Sequence, residues 1–177
     1  MIALPPLPPW DELHPLVIHF PIVLLLIAPL FILIGAAVAP QRARPYLYSA
    51  LLLMALGTVA VWFAVATGKA TADLVERNPQ VIAALERHES LAESTRNVFT
   101  IATVVFAIVV FAPMFGRRES VRLFSTVVPL IFALLYGGAA LLLVNTAHQG
   151  GRLVHELGSS PPAVVLDGSA PVPVEHD

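Results

Sequence analysis

Residues 16–39 read LVIHFPIVLLLIAPLFILIGAAVA, a run in which His19 is the one titratable side chain. About 20 apolar residues suffice to carry a helix across ~30 Å of hydrocarbon, so this stretch predicts a membrane span. Three further runs of the same kind follow, at residues 48–66, 98–115 and 124–145. The composition agrees: the 177 residues are 57% hydrophobic and only 12% charged, half the charge of an ordinary soluble domain. The fold expected is all-α, a four-helix transmembrane bundle over residues 14–158. A proline-rich interfacial segment (1–13) precedes it and a flexible tail (159–177) follows, with His176 incidental. MIALPPLPPWDEL lacks the basic start of a cleavable leader.

Charge gives the bundle a direction. The links at 40–46 and 116–122 hold Arg42, Arg44, Arg117, Arg118 and Arg122 against Glu119 alone, a net +4. The other side carries Lys69, Arg77, Arg87, Arg96 and Arg152 against eleven acids, a net −6. Short arginine-bearing loops stay in the cytoplasm, so both termini are expected on the outer side of a bacterial inner membrane. Arginines tied to a membrane edge give no support to nucleic-acid binding. The absence of cysteine excludes disulfides, thiolate metal sites and covalent haem attachment.

Between the second and third spans, Asn78 and Pro79 have the chemistry of a helix cap and first turn. Val81, Ile82, Leu85, His88 and Ala92 recur at helical spacing after them. This predicts an additional outer interfacial helix leading into the third span, with His88, Ala92, Thr95, Phe99 and Ala102 facing inward. Ala60, Ala64 and Gly68, and likewise Pro129, Ala133 and Gly137, form small-residue ridges suited to close helix packing.

Five of the six histidines fall at one end of these spans: His14 and His19 open the first, His88 precedes the third, and His148 and His155 follow the fourth. Positions five apart on a helix are turned by about 140°, so His14 and His19 cannot share a face. His19 is the deeper of the two and is expected to face the bundle interior; His14 is expected at the boundary. The pair Gly150-Gly151 allows a tight turn or a close backbone approach to a flat ligand. Taken singly, an interfacial imidazole is a capping or headgroup partner. Taken together, His19, His88 and His148, with His14 beside them, suit the axial ligation of a haem b in a bundle. Copper, zinc or iron is the alternative, held by His19, His88 and His148 with Glu89 or Asp11. His88-Glu89 is not a zincin start, because position 92 is alanine. No activated nucleophile or base pair is visible, so no reaction is assigned.

The opening HPLVIHFP (His14–Pro21), the pair His88-Glu89 and the run AHQGGRLVHELG (147–158) resemble the bacterial membrane family catalogued as domain of unknown function 2231, over roughly residues 11–158. The resemblance implies four spans, redox company through members fused to cytochrome-type domains, and His14, His19, His88 and His148 as motif positions. His155 stands where the family pattern has tyrosine.

The function these features suggest is a membrane-embedded b-type cytochrome-like protein, exchanging electrons with a redox protein or quinone. The alternative is a non-catalytic membrane subunit or anchor with a divalent-metal site on the same histidines.

Overall fold

The computed structural model describes residues 8–75, 78–114 and 123–158. The arginines of the 116–122 link, Arg77 and the tail with His176 lie outside these, as does the Asp11 side chain. Among the described residues there is no strand, and four helical stretches are long and apolar enough to cross a membrane: His14–Ala37, Pro40–Ala72, Pro79–Met114 and Leu123–His155. The regular helices are α1 (His14–Val17), α2 (His19–Ala37), α3 (Pro40–Ala72), α4 (Pro79–Phe111) and α5 (Val128–His155). Each of α2 to α4 packs on the next in sequence, and α5 closes the ring against α2.

Prolines decide where the helices start and break. Pro21 has no N–H to give the Val17 carbonyl, and the first span is interrupted one residue later, at Ile18, which separates α1 from α2. Pro40 starts α3 immediately after an extended Val38-Ala39 turn, because a residue before proline is pushed out of the α region. The expected 40–46 link is therefore helix, and the turn is only two residues long. Pro29 inside α2 frees the Leu25 carbonyl, and the buried Tyr136 hydroxyl of α5 donates to it at 2.8 Å. Such partners are what make proline tolerable within a membrane helix.

Asn78 caps α4 as its sequence suggests, its side chain accepting from the Val81 N–H at 2.9 Å. From there α4 runs unbroken for 33 residues, so the helix expected to lead into the third span and the span itself are one long rod.

The core lies mid-bundle, where Leu25, Ile32, Met54, Phe99 and Phe106 are fully buried. Phe99 meets Tyr136 edge-on at 5.5 Å, and Phe106 stacks near Phe132 at 4.7 Å. Gly57 is the closest backbone approach here: a Cβ on it would sit 2.7 Å from Leu25. The ridge expected to end at Gly137 does not, since nothing lies within 4 Å of a Cβ built there.

At about 1.5 Å per residue, the 33 residues of α3 and of α4 each extend ~50 Å, well over the ~30 Å of hydrocarbon. Arg42 and Arg44 sit in the first turns of α3, so the excess length emerges at the opposite, histidine-bearing end.

Candidate functional site

That emergent end encloses a cavity of about 480 Å³, lined mostly by carbon and contributed to by all five helices. Its lining runs from Pro21, Ile22, Val61 and Leu143, within the predicted spans, out to Leu85 and His155, so the cavity straddles the histidine-bearing end of the spans.

Two imidazoles enter it in the same way. His14 opens α1 and lies flat against Gly68 of α3, where an added Cβ would stand 2.9 Å from its Cε1. His88, three turns into α4, lies against Gly150 of α5 with the same 2.9 Å approach. A side chain at either glycine would displace a ring. Both imidazoles line the same cavity, one from α1 and the other from α4.

Each ring is bordered by a buried threonine. Thr67, next to Gly68, donates its hydroxyl hydrogen to the Phe63 or Ala64 carbonyl (3.0 and 3.2 Å). Its oxygen is therefore left to accept from His14 Nδ1–H at 3.2 Å, which fixes the tautomer and leaves Nε2 with a free lone pair. Near His88, Thr146 is spent elsewhere: its hydroxyl faces the Leu142 carbonyl at 2.9 Å and the Thr95 hydroxyl at 2.8 Å. His88 Nδ1 is buried with no well-formed hydrogen bond, although the Thr146 backbone carbonyl is nearby.

The remaining expected residues are distributed differently from the sequence reading. His19 lines the cavity but is exposed at its rim. Ile18 keeps helical dihedrals (φ −60°, ψ −25°), so His14 and His19 stay about 140° apart around the axis, and it is His14 that lies against Gly68. Glu89 and His155 also line the rim. His148 is exposed and does not line the cavity. The reason is that α5 continues as regular helix through Gly150 and Gly151; no turn forms there, and Gly150 instead provides the close approach to His88. Ala147, Gly150 and Val154 then share the cavity-facing stripe. Among the described residues no group of three or more histidine, aspartate or glutamate side chains is gathered closely enough to hold a metal ion, so His19, His88, His148 and Glu89 are not brought together.

Sequence reasoning missed Thr67, Thr146 and the seating roles of Gly68 and Gly150. The available signal was a repeated order: a histidine at the start of one helix, then a threonine with a glycine one or four positions on, near the end of the next.

No curated protein and no solved structure matches the chain. The family model of a predicted membrane protein family, DUF2231, matches residues 11–160 and so covers the whole bundle, cavity included; the chain belongs to that family.

Proposed function

We propose that the cavity binds a b-type haem between His14 and His88, and that the protein is a membrane-held electron carrier. The observation that carries this reading is the pair of imidazoles from different helices, each seated against a glycine, at one apolar cavity of about 480 Å³. That volume falls within the ~300–1,000 Å³ of cofactor sites. His14 is oriented as haem-ligating histidines are, with the distal nitrogen free and the other N–H held by a neighbour. His88 has an unpartnered ring nitrogen in a buried wall, a group that gains from a ligand.

When bound, the haem supplies one-electron chemistry, tuned by its axial ligands and surroundings. The chain's own groups bind and orient. Thr67 holds the His14 ring, Gly68 and Gly150 leave room for both rings, and the apolar wall excludes water. With the arginine end in the cytoplasm, the cavity lies at the outer end of the spans, within reach of a redox partner approaching from that side. Of the set expected from sequence (His19, His88, His148 and His14), this reading keeps His88 and His14.

The test is a reduced-minus-oxidised visible spectrum of protein expressed with a haem supply and purified in mild detergent. A b-type signal lost in His14→Ala and in His88→Ala, and kept in His148→Ala, is the expected result. A colourless wild-type protein, or a signal that survives both inward substitutions, overturns the assignment.

A further inference from the structure

On the outer face of α3 and α4, away from the cavity, Trp62 and Arg96 form a second polar feature. The Arg96 guanidinium lies 4.6 Å above the Trp62 ring. The indole is pinned in turn, its Nε1–H donating to Thr100 Oγ1 at 3.1 Å while that hydroxyl donates to the Arg96 carbonyl at 2.7 Å. Arg96 Nε donates to Asn97 Oδ1 at 3.2 Å. Among the described residues the two terminal nitrogens of Arg96 have no hydrogen-bond acceptor. The stack therefore holds a planar donor fork with unused donors on the indole face.

Charge around the fork is also incomplete. Glu93, one turn away, is close enough to feel Arg96, but it is held by Lys69 at 2.6 Å. The Glu93 carboxylate is thus bonded to Lys69, and among the described residues no carboxylate is bonded to Arg96.

The depth suits a lipid headgroup. Counting about 20 residues back from Met114 reaches about residue 95 on α4, which puts Arg96 at the hydrocarbon boundary with Trp62 in the aromatic belt beside it. Below it, Val59, Ile101 and Val104 are exposed. An apolar groove lined by Val104, Ala107, Ile108, Phe111 and Ala112 opens on α4. Its upper end is eight residues, about 12 Å, below Arg96, within the ~15 Å depth of one leaflet's hydrocarbon.

We propose that Arg96, stacked on Trp62, binds the phosphate of an anionic phospholipid, with an acyl chain descending toward the α4 groove. A guanidinium without a bonded carboxylate prefers a lipid whose phosphate charge is not balanced within its own headgroup. A planar guanidinium meets two phosphate oxygens at once. The haem proposal and this one rest on separate residues, and either can fail alone.

The experiment is native mass spectrometry of the full chain released from mixed micelles. The micelles contain phosphatidylglycerol, phosphatidylcholine or, as a third arm, inorganic phosphate with neutral detergent. Wild type is expected to retain phosphatidylglycerol preferentially. Arg96→Gln is expected to lower that retention roughly fivefold, the scale of one ~1 kcal/mol cation contact. Arg96→Lys, which keeps the charge but loses the planar fork, should fall between them. Arg152→Gln, in the last turns of α5, should match wild type and controls for general charge loss. Equal retention of the two lipids by wild type, or unchanged retention in Arg96→Gln, overturns the proposal. Equal occupancy by inorganic phosphate overturns the lipid assignment in favour of a simple anion site.

Discussion

The two halves of the bundle use one device with different completeness. In the first half, His14 lies against Gly68 and hands its Nδ1–H to Thr67. In the second, His88 lies against Gly150, but the neighbouring Thr146 hydroxyl is taken by a carbonyl and by Thr95. The His14 ring is held in place whether or not anything fills the cavity. The His88 ring is not, and a buried polar atom without a partner costs about 1–3 kcal/mol. The contrast teaches that a preformed cavity can be half settled and half in need of a ligand, and that the second half is where binding has most to contribute.

The most drastic way to break the symmetry is to fill the glycine seats. Gly68→Leu and Gly150→Leu each drive a side chain into an imidazole whose Cε1 stands only 2.9 Å from the position of a Cβ. Each should abolish the haem signal, because neither ring has room to stay in the cavity. Gly137→Leu, where nothing lies within 4 Å, should leave the signal intact. A b-type spectrum in either of the first two variants would show that the rings are not held where the seats require.

A smaller effect separates the halves in sign. In protein made without haem, His88→Leu removes the orphaned nitrogen and should be neutral or stabilising, by up to about 1–3 kcal/mol. His14→Leu removes a satisfied donor and should destabilise by ~1 kcal/mol. For a chain of this length that corresponds to a fall of roughly 2–4 °C in Tm. Thermal unfolding in detergent reads both. Equal losses in the two variants would mean that His88 has a partner equivalent to Thr67, and the comparison would collapse.

The same two residues mark how far the sequence could be read. The four spans were legible because hydrophobic runs report burial in lipid directly, without any need for helix phase. His88 was legible for a related reason: it lies on a long, unbroken α4 whose periodicity continues through Thr95 to the buried Phe99. His14 was not, because the ~140° between it and His19 says that the two face different ways but not which of them faces in. His148 was misjudged through the opposite error. A glycine pair offers a turn, but α5 passes straight through it, and each residue added to or removed from a helix rotates every later side chain by about 100°. Thr67 and Thr146 were hidden more deeply. A threonine in a membrane helix ordinarily bonds the carbonyl one turn back, and both do so here. Only the packing of another helix reveals which of them still has an oxygen to offer an imidazole.

The smallest expected effect tests whether the cavity depends on its rim. Lys69 lines the mouth, reaches across from α3 to Glu93 of α4 at 2.6 Å, and ties the first half to the second. The distance is short, yet both side chains are about half exposed, at 53% and 44%. Water and salt screen such a pair, and ordering two long side chains offsets part of the attraction, so exposed bridges contribute only ~0–1 kcal/mol. Lys69→Met keeps most of the aliphatic stem against the apolar wall and removes only the charge. It should shift Tm by no more than about 2–4 °C, and raising the salt concentration should narrow the gap further. A larger or salt-independent loss would mean that the two halves are joined at the rim rather than through the buried contacts of Phe99, Tyr136 and Leu25 below it. The asymmetry between His14 and His88 would then belong to the way the halves are clamped, not to the threonines beside each ring.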